Sequence, residues 1–303
     1  MQKNIIGLDI GGTKIALGLV TRQGKIIKKI EFQTEPQKRF EEVIKNIILG
    51  LKKLKVTQIG KVGIGIAGQI DSQTGKIIFS PNIPKWKNIP VAKLLTKKLG
   101  LEFKQEKNFE IKIGNDANCF ALAENIFGAG QKTKHMIGIT LGTGIGGGLI
   151  CNGKLYVGQG YAAELGHMIL VSQGRRCPCG KKGCLEAYAS GKAIEKTYFK
   201  ITKKKKSAIE IENEAFVKGE KSFAFKIYKE AGKYLGVGLS NLINILDPEL
   251  IVLGGGLGRS RLLLKFAKEG ILKNTFFKKR KTNIVQAKLG KEAGIIGAAL
   301  LVR

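Results

Sequence analysis

Long hydrophobic runs are missing from this 303-residue chain. Its longest uncharged stretch, between Lys134 and Lys154, holds seven glycines and two threonines, a poor membrane span and a good ligand loop. Short-period repeats and flexible linkers are also lacking, which excludes fibrous and disordered classes. No leader peptide precedes the first strand-like segment, where Met1-Gln2-Lys3 leads directly to Asp9, so a cytoplasmic location is expected. Acidic residues are few, 23 against 53 basic ones, for a formal charge of +30. Arginine is scarce too, with 8 against 45 lysines, and the densest basic run, Lys203–Lys206, has no aromatics interleaved. Base-reading proteins lean on arginine and stacking aromatics. The excess therefore reads as a solvated lysine-rich surface, with no specific nucleic-acid partner and no membrane. Five cysteines, three of them within Cys177–Cys184, suit a metal in a reducing compartment better than a disulfide framework.

Glycine is what the chain has in excess, 41 residues, nearly double the usual ~7% share. No Gly-X-Y period accounts for them, so they belong in tight turns or where backbone approaches a ligand closely. Three runs stand out. Asp9-Ile10-Gly11-Gly12-Thr13-Lys14 sits between two strand-like segments, where adjacent glycines present bare N–H groups to an anion. Asp9 could hold hydrated Mg²⁺, with Thr13 and Lys14 as nearby donors. Leu141-Gly142-Thr143-Gly144-Ile145 repeats the design, and Gly254-Gly255-Gly256 closes an apolar strand. One such run is an ordinary hairpin or packing site. Three, each on a strand edge, look like a clamp around a nucleotide polyphosphate.

The surrounding pattern is strand–turn–helix in both halves. Strands are expected at 4–10, 15–20 and 25–32, and helical spacing runs over Phe40–Leu54 with apolar residues at 40, 43, 44, 47, 48, 51 and 54. A second unit starts near 111–115 with a strand, a helix over Ala117–Phe127 and strands over Met136–Thr140 and Ile145–Ile150. Long helical spacing over Phe223–Leu246 then leads to a buried strand at Leu250–Leu253. Two α/β domains follow from this order, with ligands at strand carboxyl ends. His167, one of only two histidines, precedes Cys177, Cys179 and Cys184. One imidazole and three thiolates make a closed tetrahedral structural Zn²⁺ site.

In this order the motifs resemble the ROK family (repressor, open reading frame, kinase) of sugar kinases, within the actin-like ATPase superfamily. The resemblance runs from Gly7 to about Gly297. It implies a two-domain actin-like ATPase (ribonuclease H-like) fold with an active-site cleft between the domains. The expected division is a smaller N-terminal domain over 1–113, completed by a C-terminal helix at 290–303, and a larger domain over 114–289 carrying the zinc knuckle. In the family the first two glycine loops hold the ATP phosphates and the third lies beside the adenosine. Asp116, in Gly114-Asn115-Asp116-Ala117-Asn118, stands at the general-base position, although Asn and Asp here also read as helix caps. Gly68, Asn82, Asn115, Glu164, His167 and Glu186 match the family's sugar contacts, and Gln69 stands at a position that varies with specificity. Only eight residues precede Asp9, leaving no room for the DNA-binding domain of the family's repressors. The implied activity is ATP- and Mg²⁺-dependent phosphorylation of a hexose 6-hydroxyl, glucose first. N-acetylmannosamine, N-acetylglucosamine or fructose is the alternative acceptor, and a non-catalytic sugar- or polyanion-binding protein the distant one. A homodimer or higher oligomer is implied as well.

Overall fold

The computed structural model describes residues 5–80, 83–105, 109–276 and 282–303. The chain divides into two compact units, one comprising 1–131, 154–162 and 289–303, the other 132–153 and 163–288.

The first unit is built on a five-stranded sheet of β1 (Ile5–Ile10), β2 (Lys14–Val20), β3 (Ile26–Gln33), β4 (Lys61–Ile66) and β7 (Glu110–Asn115), in the order β3-β2-β1-β4-β7. A separate hairpin of β5 (Gln69–Asp71) and β6 (Lys76–Phe79) follows β4. The first three strands pair antiparallel as a meander, and β4 and β7 add in parallel. Both faces of the central strands are buried, which explains why β1 reads as a nearly continuous apolar run rather than an alternation. One face carries α1 (Phe40–Lys53) and α2 (Val91–Glu102), whose Phe40, Val43, Ile44, Ile47, Leu51, Leu95 and Leu99 pack with Leu8, Ile10, Leu17 and Ile64. Phe40 and the fully buried Trp86 meet edge to face at 4.8 Å.

The opposite face is covered by α9 (Ala293–Leu300), with Ile295 and Ala299 against Ile5, Ala16 and Val20. This contact requires glycine. A Cβ on Gly7 would overlap the Ile295 carbonyl, and one on Gly63 the Ala298 carbonyl. The helix backbone thus lies directly on β1 and β4. α3 (Asp116–Phe127) packs on α9 and β4, so this unit continues past 113 to Gln131 and is completed by the chain's last fifteen residues.

The second unit repeats the plan without repeating the sequence. β8 (Met136–Leu141) and β9 (Ile145–Cys151) form an antiparallel hairpin, and β11 (Leu250–Gly254) and β12 (Asn283–Gln286) add in parallel in the order β9-β8-β11-β12. Short β10 (Lys154–Tyr156) is the edge strand of this sheet, beside β9. The helices are α4 (Glu186–Ala189), α5 (Gly191–Thr202), α6 (Ala208–Lys218), α7 (Phe223–Leu246) and α8 (Arg261–Asn274). α7 is the longest and runs through the middle of the core, burying Tyr228, Leu235 and Leu239 against Ile211, Ile251 and Leu263.

Because the Gly63 position has backbone and not a flexible side chain opposite it, Gly63→Ala must push α9 off the sheet. The expected cost is about 2–3 kcal/mol, read as a fall in Tm; an unchanged Tm would refute the direct contact of helix and strand.

Candidate functional site

In the first unit the candidate residues gather at the carboxyl ends of β1, β4 and β7, where Ile10, Ile66 and Asn115 stand in register. Asp9 is the penultimate residue of β1. The hairpin Gly11-Gly12-Thr13 follows, closed by the Gly11 N–H donating to the Lys14 carbonyl at 3.0 Å. Ala67 N–H donates to the Ile10 carbonyl at 3.1 Å and ties the end of β4 to that of β1. Gly68 comes next with φ +134°, and a Cβ there would meet the Phe79 carbonyl. Only glycine fits this turn.

Asn115 is the N-cap of α3. Its Oδ1 accepts from Ala117 N–H at 2.9 Å and Asn118 N–H at 3.2 Å, and its Nδ2 donates to the Gly68 carbonyl at 3.0 Å. One N–H of that amide is left for a ligand hydroxyl. Capping and ligand recognition are therefore compatible roles of one side chain.

Asp116 opens α3, with Oδ1 accepting its neighbour Ala117 N–H at 3.0 Å. Asp9 and Asp116 both keep part of their surface open although protein surrounds them closely. Desolvation pushes both carboxyls above the usual carboxylate range. For Asp9 the nearby Asp116 raises it further and Lys14 offsets this only partly, leaving it at about 7. The carboxylate of Asp9 lies where a Cβ on Gly294 of α9 would be, so Gly294 makes room for it. Lys14 itself stands on the exposed face, where its Nζ pairs with Glu31 Oε2 at 2.8 Å.

In the second unit Gly142-Thr143-Gly144 turns between β8 and β9, with Gly142 N–H donating to the Gly144 carbonyl at 3.0 Å. The carbonyls of Gly142 and Thr143 accept from Gly191 N–H at 2.8 Å and Lys192 N–H at 3.3 Å, the first residues of α5. Gly255, at φ +77°, abuts the Leu141 carbonyl, which brings the third loop against the second. Gly142 and Gly256 face open space. A cavity of about 670 Å³ runs along α5 to the start of α6, lined by Lys192, Glu195, Lys196, Phe199, Lys205, Lys206, Ser207 and Glu210, and Lys192 ties it to the second loop.

The imidazole and three thiols converge as the spacing implied. The ligand atoms of His167, Cys177, Cys179 and Cys184 all lie within 4.8 Å of one another, with no disulfide among them. His167 Nδ1 is 3.6 Å from Cys177 Sγ, and Cys179 and Cys184 sulfurs are 3.7 Å apart. A tetrahedron with Zn–S bonds of ~2.3 Å has edges of about 3.7 Å, so the donors fit that ion. His167 turns its other nitrogen, Nε2, toward Glu164 Oε2 at 3.9 Å. Glu186 bridges the cluster and the second loop. Its Oε2 accepts Ile145 N–H at 2.8 Å, and its Oε1 lies 3.9 Å from Cys177 Sγ. Asn82 lies outside the described residues.

Sequence reasoning did not reach Gly294, the α5 N-terminus or the cavity. Gly294 looks like any glycine in an apolar helix until α9 is placed on β1. The Ser190-Gly191 start of α5 was legible as a cap, with Ser190 Oγ accepting Ala193 N–H at 3.2 Å, but its hold on the second loop was not.

The raised carboxyl of Asp9 has a consequence for stability. The folded state retains a proton that the unfolded state has lost between pH 4 and 7, so stability falls as pH rises across that window. Asp9→Asn removes this loss. In protein free of nucleotide and Mg²⁺, wild type and D9N should unfold alike near pH 4, with D9N more stable by on the order of 2 kcal/mol above pH 8. Parallel pH profiles of Tm for the two proteins would contradict the assignment.

Comparison with known proteins gives one answer throughout. The ROK family pattern matches residues 5–303. The chain is 34% identical to a glucokinase of Thermotoga maritima over 99% of this chain and 97% of that one. It is 33% identical to an N-acetyl-D-glucosamine kinase of Mannheimia succiniciproducens, over 98% of both. Among solved structures, a ROK family glucokinase from Streptomyces griseus in complex with glucose and AMPPNP superposes with a TM-score of 0.81 at 31% identity, covering 99% of each chain. The paired sheets, each with a glycine-loop hairpin beside parallel strands, are those of the actin-like ATPase fold, and the chain belongs to the ROK family.

Proposed function

We propose that the chain is an ATP-dependent hexose kinase that phosphorylates the 6-hydroxyl of glucose, with Asp116 as general base. One observation carries the assignment of the base: a closely surrounded, partly open carboxylate with a raised pKa, at the start of α3 and beside Asp9. A base of this kind keeps enough affinity to draw the proton from an alcohol as it attacks. Asp116 takes that proton at a carboxylate oxygen while the sugar oxygen attacks the γ-phosphorus of MgATP in line; the bond from that phosphorus to the β–γ bridging oxygen breaks, and MgADP leaves with its electron pair. Asp9 holds the hydrated Mg²⁺ of the nucleotide. The loops Gly11-Gly12-Thr13 in the first unit and Gly142-Thr143-Gly144 in the second cradle the phosphates, with Lys14 adding its charge. The Gly11 and Gly142 N–H groups close the two turns, which leaves the Gly12 and Thr13 N–H groups of the first loop as donors. The adenosine lies by Gly254, Gly255 and Gly256 and extends into the α5–α6 cavity. Gly68, Asn82 and Asn115, together with Glu164, His167 and Glu186, hold the sugar hydroxyls, since carboxylates and amides can each engage two neighbouring oxygens. His167, Cys177, Cys179 and Cys184 hold one Zn²⁺ that fixes the loop carrying these sugar contacts.

Glucose is the first choice because curated glucokinases match over the whole chain at 33–34% identity. N-acetylglucosamine is the second reading, favoured by kinases for that sugar at nearly the same identity, and Gln69, exposed next to Gly68, leaves the sugar's 2-substituent open.

Coupled ADP release over a panel of hexoses and N-acetylhexosamines tests the acceptor: turnover should be highest with glucose, and a higher kcat/KM for N-acetylglucosamine would install the second reading. Asp116→Asn should fold and bind sugar normally while kcat drops by about 10³-fold; near-normal kcat would remove Asp116 as base. Metal analysis should find one zinc per chain. Cys179→Ser should lose it and weaken sugar binding more than ATP binding, and full activity in a metal-free protein would dismiss the ion.

A further inference from the structure

We infer that Thr34, which follows β3 and touches no proposed ligand, is a positioning residue for the nucleotide phosphates; the inference rests on the kinase reading above. Thr34 is fully buried. Its hydroxyl donates to the Gly11 carbonyl at 2.7 Å, and its N–H donates to the Thr13 carbonyl at 3.0 Å. Two of the three carbonyls of the first phosphate loop, those of Gly11 and Thr13, are thus held by one residue. In a trans peptide the carbonyl and the following N–H point in opposite directions. Fixing the Gly11 carbonyl toward Thr34 therefore aims the Gly12 N–H away from it. Among the described residues, neither Gly12 N–H nor Thr13 N–H has a protein acceptor.

The need for such a lock follows from the sequence. Gly11-Gly12 is free of the Cβ restraints that would keep a peptide from rotating. A flip of the Gly11–Gly12 peptide would turn a carbonyl toward the phosphates where a donor is wanted. The second loop meets the same need differently, with its Gly142 and Thr143 carbonyls held by Gly191 and Lys192 N–H groups. Two loops of one design have their carbonyls tied back by unrelated elements, α5 in one unit and Thr34 in the other. Thr34 is itself well fixed. The next residue, Glu35, turns the chain at φ +52°, and its carboxylate accepts from Asn46 Nδ2 of α1 at 3.1 Å.

The test compares Thr34→Val, which keeps the shape and loses the donor, with Thr34→Ser, which keeps the donor. Binding of MgAMP-PNP is measured by calorimetry without sugar, and steady-state KM values are measured for both substrates well below Tm. T34V should bind the nucleotide about tenfold more weakly, the value of one hydrogen bond to a loop that must be ordered, and raise KM for MgATP by a similar factor. Its sugar KM should stay within about twofold, and T34S should stay within about threefold of wild type on both nucleotide measures. A purely structural role would lower Tm and leave nucleotide affinity alone. That result, or equal losses for sugar and nucleotide, overturns the inference. Should T34V not fold, Thr34→Ala takes its place with the same expected split. Wild type that binds no nucleotide overturns the kinase reading and this inference with it, whereas normal binding by T34V overturns the inference only.

Discussion

A glycine hairpin receives an anion only when its carbonyls are turned elsewhere, and much of this structure serves that constraint. The loop residues that suit the phosphates, small and free to rotate, are the ones least able to hold their own peptide planes. Orientation must come from outside the loop. In the first unit it comes from the residue after the meander's edge strand, and in the second from the first N–H groups of a helix. The strand orders β2-β1-β4-β7 and β9-β8-β11-β12 put both loops at equivalent hairpins, so one sheet plan delivers two glycine loops while the elements that brace them differ.

The second constraint is the cost of the carboxylates at the strand ends. Asp9 and Asp116 share a desolvated neighbourhood, and the Lys14 charge nearby is drawn toward Glu31 on the solvent face. That exposed pair contributes little to stability, and Lys14 offsets the raised Asp9 carboxyl only in part. In the function proposed above, hydrated Mg²⁺ and the transferable proton of a hydroxyl are what such a dyad would accommodate. Close packing of α9 through Gly7, Gly63 and Gly294 brings the helix backbone onto the strands and against Asp9, so the element that completes the core also shapes the acidic site.

The glycine loops, the cluster of His167 with three cysteines and the main elements were legible in the chain because each depends on residues close in sequence. The helical spacing at 40–54 became Phe40–Lys53, and the apolar run at 250–253 became β11. What was not legible depends on register and on contacts across the chain. The ion-pair partner of Lys14 is not apparent until β2 and β3 are paired. Lys14 then stands opposite Gln33 with Glu31 diagonal to it on the same face. The helix at 116–127 reads as the start of a second domain until Gly297 is found seated against the Cys119 carbonyl. Thr34 carries no local mark at all, since a threonine after a strand is common and only burial reveals its two bonds.

In the function proposed above, the tautomer of His167 would link a zinc ion to sugar recognition. Nδ1 faces the sulfurs and Nε2 faces Glu164. With an ion held at Nδ1, the proton of the neutral ring must sit on Nε2, which becomes a donor on the side of Glu164 and the sugar contacts. Without the ion either tautomer is open to the ring, and half of the possibilities present a lone pair where a hydroxyl needs a partner. Glu186 extends the same logic to the phosphates, because the carboxylate that borders Cys177 also holds Ile145 N–H, at the end of the second loop. On the reading proposed above, an ion in this position would govern the direction in which His167 donates toward the sugar side, so the metal would act on substrate affinity as well as on the fold.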